Sequence, residues 1–587
     1  PAPGRWLLAG GGRIGAALAE RVPASVAVSA ADELDAELQA GGTSRVVVLA
    51  AEIEDGARVL EVLRTVAAST IVPPPRVWIV TRGAVPAAPG PVAPGEALAW
   101  GVGRVLAIER PDVFGGLVDL DPAGGPDEPG RLVAEIAAPV GETQLAFRGD
   151  RRLVARLARR PAASAPSPAL RTARTYVVTG AMGGLGLEVA GWLVEKGARR
   201  LALLSRREPE GTARLAVSRL RERGAEVLAI ACDVARADDV ARAFERIDRT
   251  MPPVAGVLHA AGVIDDATLP RQDADRFERV LAPKVAGSLH LHAATAGIPL
   301  DFFVLFGSVS SVLGSGGQAN YAAANAFLDL LAWARREAGL PAVAIDWGAW
   351  AEVGMAARTR AGGAGRDLPG LRAIPKREGL ETLGRLLASP LPEVVVLPVE
   401  WDVVLGAFPP GGTPAILSDL RSVRTPGPAR ETLADELRRT NPERRVEAIA
   451  RFLRAALAKA RLLSPGAVAA EGRFQDLGLD SLMVMEIVQA VNRSLGIALF
   501  PRELYDRPSV LHLARYLAAE FDRGAVPGPL EPVRPPLEAA RPALPRIADP
   551  VPRVVLLLSS PRAGSTLLRV MLAGHPQLFC PPELHLL

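Results

Sequence analysis

An apolar run feeding directly into a glycine-rich turn and then into a helix occurs twice in this chain, and few folds accommodate that pattern. The first copy reads Trp6-Leu7-Leu8-Ala9-Gly10-Gly11-Gly12-Arg13-Ile14-Gly15, and the second Tyr176-Val177-Val178-Thr179-Gly180-Ala181-Met182-Gly183-Gly184-Leu185-Gly186. Strands that are apolar without alternation are buried on both faces, as in a parallel sheet covered by helices on each side. The sequence therefore predicts an α/β protein built from two Rossmann-like halves. Residues 1–158 form the first half, a Pro/Ala/Ser-rich linker occupies 159–173, and alternating strand and helix patterns resume over 174–420.

With 587 residues the chain is too long for one core, and its pattern changes further along. Residues 430–521 read as short amphipathic helices without strands, which predicts a small helical bundle. Residues 523–550 carry Pro527, Pro529, Pro532, Pro535, Pro536, Pro542, Pro545 and Pro550, a composition suited to an extended spacer. Val554 to Leu558 then begins another buried-type strand, so 551–587 is expected to be the start of a further, incomplete domain. The opening Pro1-Ala2-Pro3 is likewise expected to be a cut and not a biological start.

The 68 basic and 64 acidic side chains leave a net charge of only +4, too small a field to imply a nucleic-acid partner. Cys232 and Cys580 are the two cysteines, and neither they nor the six histidines show metal-ligand spacing, so no metal is expected. With no long uncharged apolar run and no leader pattern, a soluble, reduced, cytoplasmic protein without a membrane partner is expected.

The second turn, Thr179-Gly180 with Gly184, Leu185 and Gly186, lies where backbone amides and a helix N-terminus can approach a pyrophosphate. A purely structural turn is the alternative. The next strand ends in Ser205-Arg206-Arg207, where a guanidinium can take a 2′-phosphate and an acid would be expected for NAD. NADPH is therefore the expected cofactor, against the reading of Arg206 as a solvated loop charge.

These residues resemble the short-chain dehydrogenase/reductase family, and specifically the ketoreductase domains of modular type I polyketide synthases, over residues 1 to about 420. Ser308, Tyr321 and Asn325 match the spacing of that family's active site, and Lys284, thirty-seven residues before the tyrosine, completes its tetrad. The chain has four lysines, Lys196, Lys284, Lys376 and Lys459, and four tyrosines, Tyr176, Tyr321, Tyr505 and Tyr516, yet one of each falls where the family requires it. The resemblance also implies cofactor contacts from Asp233 and Val234 and from Ala260, Ala261 and Gly262.

The chemistry suits these residue types. Hydride delivery to a β-keto carbon builds charge on oxygen, which a phenol at Tyr321 can protonate and a hydroxyl at Ser308 can hydrogen-bond. An ammonium at Lys284 is expected to depress the phenol pKa and, with Asn325, to support a proton relay. The first half has neither Tyr nor Lys before residue 176, so it resembles the family's noncatalytic subdomain. Its Gly10, Gly12 and Gly15 are expected to pack a helix on the sheet, with cofactor binding as the alternative.

Ile264-Asp265-Asp266 lies where B-type ketoreductases carry Leu-Asp-Asp, and Leu313 stands where A-type enzymes carry Trp. The resemblance implies a D-β-hydroxyl product, and Gly316, where epimerising enzymes tend to have Pro, implies no epimerisation.

Two further resemblances follow. Phe474 to Glu486 is similar to the acyl carrier signature, which implies 4′-phosphopantetheine on Ser481, although Asp480-Ser481 is also an ordinary helix cap. The run Ser559-Ser560-Pro561-Arg562-Ala563-Gly564-Ser565-Thr566 resembles the phosphosulfate loop of sulfotransferases that use 3′-phosphoadenosine-5′-phosphosulfate (PAPS). Arg562 would stabilise the transferring group, Gly564, Ser565 and Thr566 would line the loop, and Glu583 or His585 would act as base; an unrelated Rossmann strand is the alternative. The implied partners are acyl chains on the carrier, a phosphopantetheinyl transferase, and the ketosynthase, acyltransferase and thioesterase domains of a synthase. A free-standing alcohol dehydrogenase and a nonreducing scaffold are the rival readings.

Overall fold

Both glycine turns join a parallel strand to a helix. The computed structural model describes residues 4–160 and 169–355 but for a few positions, most of 370–420, 433–461, part of 487–499, most of 507–522, and Val555–Leu556.

In the first half, β1 (Arg5–Ala9), β2 (Ser25–Val28), β3 (Thr43–Leu49), β4 (Arg76–Arg82), β5 (Phe114–Leu120), β6 (Gln144–Arg148) and β7 (Arg151–Val154) form one sheet in the order β2-β1-β3-β4-β5-β6-β7. Its pairs are parallel except β6 with β7. Between the strands run α1 (Gly12–Arg21), α2 (Ala31–Gln39), α3 (Gly56–Ala68), α4 (Ala97–Glu109) and α5 (Glu128–Ala137). A short strand, β8 (Arg159–Arg160), pairs in parallel with Val555–Leu556.

In the second half, β9 (Thr175–Thr179), β10 (Arg200–Ser205), β11 (Glu226–Ala231), β12 (Val254–His259), β13 (Phe302–Ser308), β14 (Val343–Trp347) and β15 (Glu393–Val396) run parallel in the order β11-β10-β9-β12-β13-β14-β15. The associated helices are α6 (Gly184–Glu195), α7 (Gly211–Glu222), α8 (Ala237–Thr250), α9 (Ala274–Thr295), α10 (Ser310–Leu313), α11 (Ala319–Glu337) and α12 (Lys376–Leu386). Every residue of β9 is buried, because helices cover both of its faces.

The chain leaves β9 toward β10 on one side and returns to β12 on the other. That reversal opens a crevice at the carboxyl ends of β9 and β12, the place where open α/β sheets bind ligands.

The two halves meet chiefly through α4 and α11. Gly101 makes this approach possible: a Cβ there would collide with the backbone of Ala322 and Ala323. The catalytic-side helix is thus seated directly on a helix of the first half. Both sheets belong to one compact unit that includes Arg372–Pro398, and residues from Val399 to Pro550 belong to a second.

In that second unit, helices Leu433–Arg439, Pro442–Arg461 and Val510–Asp522 enclose a core of Leu437, Leu453, Val491, Leu513 and Leu517. Over the described residues of 433–522 these elements are helical. Ser481, Arg562, Gly564, Ser565, Thr566 and Glu583 lie outside the described residues. Among the described residues, no helix is long and apolar enough to cross a membrane.

Candidate active site

The glycines of the second turn have separate tasks. Gly180 has a φ of +63°, and a Cβ on it would come within 2.8 Å of the Ala260 carbonyl and the Ala261 backbone. Gly186 sits beneath it, where a Cβ would lie 2.5 Å from the Gly180 carbonyl. Around Gly184 there is room, the nearest atom to a Cβ being the Gly354 amide at 3.8 Å. Among the described residues no side chain accepts the first amides of α6, which therefore keep their capacity for an anion. The cradle fits a dinucleotide pyrophosphate.

Around that cradle, Thr179 and His259 end the central strands and share a hydrogen bond of 2.7 Å between Oγ1 and Nδ1. Burial, with Lys284 nearby, lowers His259 to about 3, so its imidazole is neutral. Ser205 ends β10 and its carbonyl accepts the Cys232 amide at 2.8 Å, which fixes the loop carrying Asp233 and Val234. Asp233 accepts the Ala235 amide at 3.1 Å, and Val234 is buried against Gly287. Arg206 is exposed just beyond the strand and makes no hydrogen bond or ion pair among the described residues.

The four tetrad residues converge from three elements. Lys284 is buried on α9, its Nζ donating to the Phe306 carbonyl at 2.8 Å and lying 5.4 Å from the centroid of the Tyr321 ring. Gly262 lets the lysine pass, since a Cβ there would sit 3.1 Å from Lys284 Cε. Ser308 ends β13, its hydroxyl accepting from Ser310 Oγ at 3.1 Å, and the Ser308 and Asn325 side chains lie near enough to the Tyr321 phenol to favour its ionised form. Asn325, one turn along α11 from Tyr321, also donates to the Tyr321 carbonyl at 2.8 Å.

Desolvation lowers the Lys284 ammonium to about 8, with the carboxyls of Asp329 and Asp346 opposing the fall. The phenol departs from expectation. Burial pushes Tyr321 up to about 12, and the nearby polar side chains of Asn325 and Ser308 only partly offset this. The expected depression by Lys284 is therefore not found: the ammonium lies over the ring and bonds a main-chain carbonyl, while desolvation acts on the whole buried phenol.

The residues expected to set stereochemistry lie in loops next to the start of α11. Asp265 is ion-paired with Arg276 at 2.5 Å and also with Arg279, and its carbonyl accepts from Asn320 Nδ2 at 2.8 Å. Asp266 accepts from Gln318 Nε2 at 3.1 Å, and burial raises its pKa. Ile264 is half-buried in the same loop, and half-buried Leu313 ends α10 at the other edge.

The first glycine turn is built differently. Glu52, just after β3, places its carboxylate at the start of α1, accepting the amides of Ile14 at 2.6 Å and Gly15 at 3.0 Å. A side chain of the protein thus fills the position an anion would take, which supports the packing reading of Gly10, Gly12 and Gly15. Sequence reasoning passed over Glu52, although an acid following the third strand was visible. It also passed over Glu109, whose contacts reach residues 160 and 208 positions away.

Residues 174–352 match the KR domain family, 6–157 the Rossmann fold domain described for the polyketide synthase extender module SpnB, and 451–517 the phosphopantetheine attachment site. A solved A-type ketoreductase from a modular polyketide synthase is 32% identical and superposes with a TM-score of 0.65 over 71% of this chain and 94% of that one. The chain belongs to the ketoreductases of modular polyketide synthases.

It is an oxidoreductase acting on β-ketoacyl groups, joined to a carrier domain of the phosphopantetheine-attachment family, and membership of the two families implies NADPH and 4′-phosphopantetheine. The first ketoreductase of the tylosin synthase is 34% identical, with a TM-score of 0.59 over 69% of this chain and 92% of that one. Polyketide synthase GfsA of Streptomyces halstedii is 37% identical over 473 residues, 77% of this chain. The spectinabilin polyketide synthase system protein NorA of Streptomyces orinoci is 37% identical over 481 residues, 78% of this chain. The ketoreductase chain spans 6% and 24% of these two relatives respectively.

Proposed function

We propose that this ketoreductase uses NADPH to reduce a carrier-bound β-ketoacyl thioester to the D-β-hydroxyacyl thioester, with the acyl chain tethered through Ser481. The carrying observation is the convergence of Lys284, Ser308 and Asn325 on Tyr321 beside an uncapped glycine cradle. NADPH, when bound, supplies the hydride. Ser308 orients the keto oxygen, and Tyr321, held protonated by its burial, donates the proton that the forming alkoxide takes. Lys284 offers positive charge to the phenolate left behind, and Asn325 holds Tyr321 in register.

The D configuration rests on Ile264, Asp265, Asp266 and the absence of Trp at Leu313. Asp265 is fastened by two arginines, which supports a fixed loop beside the start of α11. We further propose, from the motif at 559–566 alone, that the longer protein sulfates the new hydroxyl using PAPS, with Arg562 and Glu583 in the roles given above.

Chiral analysis of the product from a β-ketoacyl thioester tests the stereochemical reading, an L-β-hydroxyacyl product overturning it. Mass analysis after incubation with coenzyme A and a phosphopantetheinyl transferase tests the tether: the chain gains the arm, and Ser481→Ala does not. A modified Ala variant would place the arm elsewhere.

A further inference from the structure

The first half does more than support the second, and the contact that reveals this is a single carboxylate. Glu109, the last residue of α4, accepts the Leu269 amide at 2.7 Å through Oε2 and the Gly317 amide at 2.7 Å through Oε1. These amides belong to two loops that bond each other and the start of α11, the helix that carries Tyr321. One loop carries Ile264, Asp265 and Asp266 and continues to Leu269, and the other leaves α10 at Leu313 and reaches α11 through Gly314 and Gly317. Gly314 and Gly317 have φ of +76° and +79°, so this second loop follows a path that glycine favours.

The loops are also stitched to each other. The Ala267 amide donates to the Gly317 carbonyl at 2.8 Å, Gln318 Nε2 to Asp266 at 3.1 Å, and Asn320 Nδ2 to the Asp265 carbonyl at 2.8 Å. The Tyr321 amide in turn donates to Asn320 Oδ1 at 2.7 Å. A chain of hydrogen bonds therefore runs from Glu109 through both loops to the start of the helix that presents the phenol. Arg104, one turn earlier on α4, donates to the Ser311 carbonyl, and Ser311 Oγ donates to the Ser308 carbonyl at 2.9 Å. The same α4 thus reaches the tetrad serine from behind.

A half-buried carboxylate is costly unless it is well hydrogen-bonded. Burial raises the pKa of Glu109, and the two loop amides oppose that rise. Two amides on one carboxylate fix both distance and angle between the loops, which a single neutral acceptor would not.

We propose that Glu109 is a positioning residue for the reductase, setting the separation of the Asp265–Asp266 loop and the Gly314–Gln318 loop and so the pose in which the β-ketoacyl thioester meets Tyr321. This rests on the reduction proposed above. Glu109 touches neither the glycine cradle nor Arg206, so its effect falls on the acyl substrate and not on NADPH.

The experiment compares the whole chain with its Glu109→Ala and Glu109→Gln variants by three measurements. Hydrogen exchange at the Leu269 and Gly317 amides reads the contact itself, NADPH affinity reads the cradle, and steady-state kinetics with product chirality reads the pose. For Glu109→Ala, exchange at both amides accelerates, NADPH affinity stays within about twofold, and kcat/KM for the thioester falls about 10- to 100-fold, mainly through KM, with a more mixed product. Glu109→Gln keeps one acceptor and lies between; it carries the test alone if the Ala variant does not fold.

Faster exchange with unchanged KM and product ratio would overturn the positioning role, and unchanged exchange would overturn the contact. A wild-type chain that binds NADPH but reduces no β-ketoacyl thioester would instead overturn the reaction on which this role rests.

Discussion

The carboxylate of Glu52 accepts the backbone amide of Ile14 at 2.6 Å, at the start of the first half's opening helix. With Gly15 as its second partner, it sits where a dinucleotide phosphate would need to lie. The same strand, glycine turn and helix thus meet different fates in the two halves: one turn is closed by an acidic side chain and the other is uncapped.

One NADPH should therefore bind per chain. Titration calorimetry is expected to give a stoichiometry of one for the wild type. Glu52→Gln removes a charge favourable to the helix N-terminus and one strong acceptor, and is expected to cost about 1 kcal/mol in a denaturation series while leaving the stoichiometry unchanged. A second NADPH bound by the wild type would contradict the closed site.

Arg206 projects from the end of β10 without a partner among the described residues. Arg206→Ala is expected to weaken NADPH about 10-fold or more through loss of a charge-assisted phosphate contact, with NADH affinity little changed. Equal losses for the two cofactors would show that this guanidinium does not read the phosphate.

The close approach of α4 to α11 depends on Gly101. Gly101→Ala places a methyl group against the backbone of Ala322 and Ala323, neither of which can rotate away. The expected cost is about 1 to 3 kcal/mol, seen as a lower denaturation midpoint. An unchanged midpoint would mean that the helices separate without penalty.

Burial lowers Lys284 to about 8 and raises Tyr321 to about 12, so the two titrate in an unusual order. As pH rises through about 8 the free enzyme loses the lysine charge while the phenol keeps its proton. The kcat/KM for the thioester is expected to fall along that limb, because the phenolate formed during turnover loses its stabilising cation. In Lys284→Arg, where the charge persists, whatever activity remains should show no such limb. A limb of the same midpoint in the arginine variant would assign it to another group.

Much of the site was legible because its chemistry demands rare residues at fixed spacing. Lys284, Ser308, Tyr321 and Asn325 were found from the sequence, and the structure brings them together across α9, β13 and α11. The repeated turn likewise pointed to two mainly parallel sheets, since uninterrupted apolar strands followed by glycine leave little else.

What escaped was anything set by distance along the chain. Glu109 and Arg104 gain their significance only when α4 packs on α11, and Glu52 only when β3 delivers it to α1. The sign of the Tyr321 shift escaped for a related reason. A lysine nearby suggests a lowered phenol, but burial is a property of the whole fold and here outweighs it.

In the proposed reaction Tyr321 gives the proton while NADPH reduces a β-ketoacyl thioester. The direct measurement follows NADPH oxidation by the wild type and by Tyr321→Phe with such a thioester, alongside NADPH affinity for each. The wild type is expected to turn over and the Phe variant to be slower by at least about 100-fold, with NADPH binding within about twofold. Equal rates for the two proteins, or no oxidation by a wild type that binds NADPH, would contradict this role for Tyr321 and the reduction it serves.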